Sequence, residues 1–78
     1  DLTEETRRDY VKQAKGIAED AKIQLRNIRQ DANNEIKRTE FPKDEEEAYL
    51  NDVQEMINTY NKKIEDILKV KENELMSI

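Results

Sequence analysis

The sequence predicts an all-α fold in which two long antiparallel helices form a helical hairpin. Its 78 residues include a single Gly and a single Pro, which favours long helices over sheet. Apolar residues recur at alternating steps of three and four in two stretches, the spacing of one helix face. One break, TEFPKDEEE, separates the two stretches, and a short connection between long helices makes them antiparallel neighbours.

The first helix is expected over about residues 4–38. Thr3 is suited to cap its N-terminus, with Glu4 and Glu5 in the positive first turn of the helix dipole. The apolar seam of this helix has heptad spacing and consists of Val11, Ala14, Ala18, Ala21, Leu25, Ile28 and Ala32.

The second helix is expected over about residues 44–75, after a connection at about 39–43. Phe41 precedes Pro42, which steers Phe41 away from the α region. Asp44 and Glu47 have the spacing of a capping box. The second seam consists of Leu50, Val53, Ile57, Tyr60, Ile64 and Ile67 before it drifts to Leu68 and Leu75. Residues 1–78 are thus predicted to be a single helical unit.

Both apolar seams are widened on one flank, by Tyr10 and Ile17 in the first helix and by Tyr49 and Met56 in the second. A broad stripe is typical of a three-helix bundle, whereas a two-helix hairpin needs only a narrow one. We interpret the extra width as room for a third helix that this chain does not contain. The alternative is that these residues flank a two-stranded coil.

The composition narrows the function classes. Charged residues make up 42% and hydrophobic residues 35%, so the core is expected to be thin and the stability marginal. The absence of Cys rules out disulfides and fits a reducing, cytoplasmic location. No apolar run approaches the length of a membrane span, and we expect no signal peptide before the first helix. With no His, Cys or Gly-rich phosphate loop, we expect no enzyme activity, cofactor, metal or small-molecule substrate.

Positive charge is sorted onto one face of the first helix although the net charge is −5. The stripe consists of Arg8, Lys12, Lys15, Lys22, Arg26 and Arg29, interrupted by Glu19. Such a stripe can attract a polyanion because its field is local. The alternative is a solvated face with intrahelical pairs such as Glu4–Arg8 and Glu19–Lys22.

Arg26 and Arg29 differ from the other cations of the stripe because neither has an acidic residue three or four positions away. The planar guanidinium fork suits phosphate oxygens. Two interpretations stay open: binding of nucleic-acid phosphate, with Lys22 and Lys15 assisting, or a salt bridge to the second helix.

Three segments of the chain, LTEETRR, LRNIRQDAN and KENELM, closely resemble the C-terminal part of bacterial ribosome recycling factors. The resemblance extends through essentially the whole chain. It implies helices two and three of a three-helix bundle, with the first helix and an inserted β-rich domain missing. It also implies binding to ribosomal RNA of the large subunit and action with elongation factor G to split post-termination ribosomes.

The resemblance assigns RNA binding to Arg26 and Arg29. Members of the family often carry a further arginine directly after the second of these, where this chain has Gln30. The other candidate is a coiled-coil oligomerisation module with no ribosomal role. In both cases the exposed apolar face is expected to drive self-association.

Overall fold

A computed structural model describes residues 3–77 as two helices, α1 (Glu4–Arg38) and α2 (Lys43–Met76). Arg29 contacts Gln54, and Lys22 contacts Glu65. Lys22 precedes Arg29 in α1, but its partner follows that of Arg29 in α2, so the helices run antiparallel. The pair measures 60 × 15 × 10 Å. The predicted all-α helical hairpin is confirmed.

The start of α1 is capped as the sequence predicts. The hydroxyl of Thr3 accepts a hydrogen bond from the backbone N–H of Thr6 at 3.1 Å. Glu4 and Glu5 lie in the first turn, and Lys37 and Arg38 in the last. Both pairs of charges therefore complement the helix dipole.

The chain reverses direction through a short connection after α1. Both the N–H and the hydroxyl of Thr39 donate to the carbonyl of Glu35, at 3.1 and 2.8 Å. Glu40 then adopts a left-handed conformation with φ of 59°, as is common just beyond a helix C-terminus. The Phe41 ring packs on the Tyr49 ring with centroids 4.7 Å apart, which ties the connection to α2.

The predicted capping box at the start of α2 is wrong. Pro42 is the N-cap residue, and no side chain caps it. The carbonyl of Pro42 accepts from the N–H of Glu46 at 2.9 Å, so helical hydrogen bonding begins before Asp44. Asp44 consequently lies inside the first turn, where it complements the dipole without capping the helix.

The core between the helices is thin. Among the described residues only Ala18 and Ile57 are buried, each 7% exposed. Ala18 lies beside the later part of α2, where Ile64 and Leu68 line the same groove, and Ile57 is the large buried side chain nearer the middle of α2. Neither helix within residues 3–77 is long and apolar enough to cross a membrane.

The strict heptad seam does not persist along either helix. Ile28, Tyr60 and Ile67 were predicted to face the partner helix, but they are 58%, 51% and 68% exposed. Two helices cover only a narrow stripe of each other, and these three side chains lie on one flank of that stripe, where Ile67 lines an open groove. On the other flank Arg29 and Asn61 are partly buried.

Most of the exposed large apolar side chains lie on one face of the hairpin, here called the apolar face. A groove between the helices on this face is lined by Ala14, Ile17, Ala18, Ala21, Ile64, Ile67, Leu68 and Lys71. Tyr10, Ile28, Tyr49, Met56 and Tyr60 extend this face along both helices. The width predicted from the flanks of the seams is therefore present and exposed.

Gly16 lies in the middle of α1, and a Cβ at this position would meet no side chain and no part of α2 within 4 Å, apart from its two chain neighbours. We expect Gly16→Ala to raise the free energy of unfolding by about 0.5–1 kcal/mol, because glycine loses more backbone entropy in a helix. Urea titration followed by circular dichroism measures this change. Gln13→Ala, at an exposed position of the same helix, is the control and should give a smaller gain; equal stability of Gly16→Ala and the parent would contradict the expectation.

Candidate nucleic-acid interface

A polar groove, here called the cationic groove, lies on the face of the hairpin opposite the apolar face. Its lining residues are Lys22, Arg26 and Arg29 from α1 and Ile57, Asn61 and Glu65 from α2. Helical geometry explains the separation of the two faces. Ala21 and Lys22 flank the buried Ala18 on opposite sides, one turn further along α1.

Arg29 is held at the edge of the helix interface. Its Nη1 atom donates a hydrogen bond to Oε1 of Gln54 on α2 at 3.2 Å. The predicted alternative, a salt bridge to the second helix, is not formed by Arg29 within residues 3–77. Its partner is a neutral amide, so the guanidinium keeps its full positive charge.

Arg26 is exposed and lies one turn before Arg29 on the same wall of the groove. Among the ion pairs of the described residues, none includes Arg26. The two guanidinium groups therefore stand next to each other without a carboxylate. Like charges at this spacing repel, so an anion that contacts both would relieve the repulsion.

Lys22 has a different environment in the same groove. Its ammonium group bridges to Glu65 of α2 and lies 3.5 Å from Oε1 of Glu19. The hydrogen bond to Glu65, with smaller contributions from the charges of Glu65 and Glu19, raises the pKa of Lys22 above its ordinary value despite partial desolvation. Lys22 is therefore a cation at neutral pH whose charge is largely compensated inside the molecule.

Lys15 lies apart from these three side chains. It contributes to a shallow depression with Arg8, Val11, Lys12 and Met76, about 16 Å along the helix axis from Arg26. Arg8 itself pairs with Glu4 at 2.7 Å. Within residues 3–77, Arg8 and Lys22 are thus the members of the stripe that pair with carboxylates, whereas Lys12, Lys15, Arg26 and Arg29 belong to no ion pair.

The α2 side of the groove was not predicted from the sequence. Gln54, Asn61 and Glu65 all face the cations of α1. The sequence did contain a signal for these residues. If equal numbers of residues are counted outward from the connection along both helices, Arg29 falls opposite approximately Gln54. Applying the same rule to Lys22 points to the turn that contains Asn61, one turn before Glu65.

Within residues 3–77 no group of three or more acidic side chains is arranged to hold a metal ion. The polar atoms of the cationic groove are instead amide, guanidinium and ammonium groups with one carboxylate. Such a set of donors suits an anion.

Comparison with known proteins decides among the families that such a hairpin fits. A sequence model described as ribosome recycling factor matches residues 1–76. The chain belongs to the ribosome recycling factor family. The resemblance seen in its three sequence segments is confirmed.

Several ribosome-recycling factors are similar to this chain over 99% of its length. The protein of Flavobacterium johnsoniae is 50% identical over 80 residues, and that of a Geobacillus strain is 46% identical over 81 residues. The Ectopseudomonas mendocina protein is 42% identical over 81 residues. No solved structure matches this chain significantly.

The chain spans less than half the length of these ribosome-recycling factors, between 43% and 44% of each. Two helices thus correspond to a part of what a whole member of the family contains. Both Arg26 and Arg29 lie inside the matched region.

Proposed function

We propose that this chain carries the ribosome-binding helical part of a ribosome recycling factor. Arg26 and Arg29 bind phosphates of large-subunit ribosomal RNA, with Lys22 and Lys15 assisting at longer range. The whole protein acts in the cytoplasm with elongation factor G to split post-termination ribosomes. Its role is binding and positioning, with no catalytic chemistry of its own.

One observation carries this proposal: two guanidinium groups lie side by side at the cationic groove, and neither belongs to an ion pair within residues 3–77. Arginine presents several N–H donors in a planar fork that matches phosphate oxygens. RNA helices are recognised mostly through shape, phosphates and 2′-hydroxyls. A rigid helix that presents two such forks suits this mode of recognition.

The overall negative charge is compatible with RNA binding. Although the net charge is −5, charges separated by more than about 8 Å are largely screened at physiological salt. The field at the cationic groove is therefore set by its own residues rather than by the distant acidic start of α2: Glu65 offsets Lys22, and Arg26 and Arg29 leave an excess of positive charge. Acidic residues elsewhere also limit non-specific attachment to nucleic acid.

Co-sedimentation of the 78-residue chain with purified large ribosomal subunits, over a range of salt concentrations, tests the proposal. We expect Arg29→Ala to weaken binding and to reduce the slope of log affinity against log salt by about one counterion. Loss of one phosphate contact corresponds to roughly tenfold in affinity near 0.1 M salt.

Arg38→Ala is the matched control, since Arg38 is also an exposed arginine of α1 but already pairs with Glu35 at 2.9 Å. It should bind subunits as the parent chain does. Equal affinity and equal salt slope for Arg29→Ala and the parent would remove Arg29 from the interface and the proposal with it.

A second candidate function, oligomerisation without a ribosomal role, is favoured by the apolar face. Its groove is lined by apolar side chains apart from Lys71, and Ile17 and Ile67 are among its most exposed members. Exposed apolar surface of this extent favours association. We propose that the chain also self-associates through this face, leaving the cationic groove on the other side free.

A further inference from the structure

The groove contains two cations that touch α2, and the chemistry of their partners differs. Lys22 meets a carboxylate, Glu65, whereas Arg29 meets a carboxamide, Gln54. A carboxylate both orients and neutralises the cation. A carboxamide accepts a hydrogen bond and leaves the charge in place.

Gln54 is itself oriented by a second hydrogen bond. Its Nε2 atom donates to Oδ1 of Asn58, one turn further along α2, at 2.9 Å. An amide that donates through its nitrogen to Asn58 presents its oxygen to Arg29. The chain of contacts from Asn58 through Gln54 to Arg29 thus fixes the polarity of the amide as well as its position.

Fixing Arg29 has a consequence for binding. A free arginine side chain loses rotamer entropy when a ligand immobilises it. Arg29 uses one N–H for Gln54, and the guanidinium group has five in total, so most donors stay available to a phosphate. Arg26, which is exposed, has no comparable anchor on α2 among the described contacts.

We propose that Gln54 is a positioning residue for Arg29: its neutral amide orders the guanidinium at the groove edge while leaving its charge free for RNA phosphate. This inference rests on the proposed function and adds a determinant on α2 to the two arginines on α1. It also predicts that RNA binding requires an uncharged side chain at position 54.

Two variants separate orientation from charge, with large ribosomal subunits as the ligand. Gln54→Glu keeps the shape of the side chain but neutralises the charge of Arg29. The affinity for large subunits should fall roughly tenfold near 0.1 M salt, and the slope of log affinity against log salt should decrease by about one. Gln54→Met keeps the length without the hydrogen bond. It should weaken binding about threefold through lost ordering, with the salt slope unchanged because Arg29 keeps its charge.

Asn51→Asp is the control for the added negative charge, since Asn51 is exposed on α2 one turn nearer the connection. It should weaken binding much less than Gln54→Glu. In the Arg29→Ala background, Gln54→Glu should have no more effect than Asn51→Asp. Thermal melting should show that Gln54→Glu is at least as stable as the parent chain, because it gains an ion pair.

The inference is overturned if Gln54→Glu and Asn51→Asp weaken binding equally, or if Gln54→Met binds as the parent does. Failure of this inference is distinguishable from failure of the proposed function. If only the role of Gln54 is wrong, Arg29→Ala still loses affinity. If the proposed function is wrong, Arg29→Ala binds as the parent does, and both proposals fall.

Discussion

The Ile57→Ala protein is expected to lose most of its helical structure. Ile57 is the only large side chain among the described residues that is buried, at 7% exposure. Replacing a buried isoleucine with alanine costs about 2–5 kcal/mol through lost burial and the cavity left behind. A domain of this size has only about 3–5 kcal/mol of stability from its core, so the substitution consumes most or all of it.

Circular dichroism during thermal and urea unfolding, at low protein concentration, measures this effect. Ile23→Ala is the matched control: it removes the same atoms from α1, but Ile23 is 47% exposed and lies outside both grooves. Surface substitutions of this kind change stability by about 0.5 kcal/mol or less. A melting curve for Ile57→Ala that overlays that of Ile23→Ala would show that the helices are not held together by this contact.

The hairpin was predictable because its signals are local. α1 contains no proline and a single glycine, and Phe41–Pro42 interrupts the pattern once. These features act within a few residues along the chain. The position of the helix start at Lys43 was less predictable, because Pro42 and Asp44 both offer plausible beginnings and the first hydrogen bond of the backbone decides between them.

The side chains that fill the interface were harder to predict than the helices. The heptad pattern identifies the apolar side of each helix, and it placed Ile28, Tyr60 and Ile67 at the interface. Two helices cover only a narrow stripe of each other, so apolar side chains on the flank of that stripe stay exposed. Which members of a seam lie in the stripe depends on how the two helices face each other, and the pattern of one helix does not contain this information.

The candidate site shows the same limit in another form. The lack of an ion pair at Arg26 and Arg29 within residues 3–77 was predictable for α1, because the absence of nearby acids is visible in the sequence. Whether a partner on α2 is Gln54 or a carboxylate depends on the register between the helices, which the connection sets. One residue of difference in that register would change which side chain meets Arg29 and therefore its free charge.

The two faces of the hairpin have different chemistry and so different proposed partners. The cationic groove carries guanidinium groups without carboxylate partners within residues 3–77. The groove on the apolar face is lined by apolar side chains apart from Lys71. Since the two lie on opposite sides, a substitution on one face leaves the chemistry of the other unchanged, and the two proposals can be tested separately.

Placing charge on the apolar face is expected to convert a self-associated chain into a monomer. Ile17 and Ile67 are 70% and 68% exposed, so replacing both with glutamate removes little packing from the hairpin itself. Burial of an isoleucine side chain is worth about 1.5–3 kcal/mol. Losing two of them at the interface of a dimer therefore weakens association by at least ~100-fold, and the cost of burying the new carboxylates adds to this.

Sedimentation equilibrium at several protein concentrations measures the change in mass. Ile23→Glu is the control because it adds the same group at an exposed apolar residue off this face, and it should associate as the parent chain does. A parent chain that stays monomeric while folded at high concentration would contradict the proposed self-association. Equal dissociation of Ile23→Glu would show that added charge, rather than its place on the apolar face, is responsible.

The same double variant also discriminates between the two candidate functions. If RNA is bound through the cationic groove, the monomeric Ile17→Glu/Ile67→Glu chain should co-sediment with large ribosomal subunits as strongly as the parent, because Arg26, Arg29 and Gln54 are untouched. If oligomerisation alone is the function, neither chain co-sediments. If the double variant loses both ribosome binding and self-association, two copies of the chain are needed to present the arginines. That result would contradict independent action of the two faces.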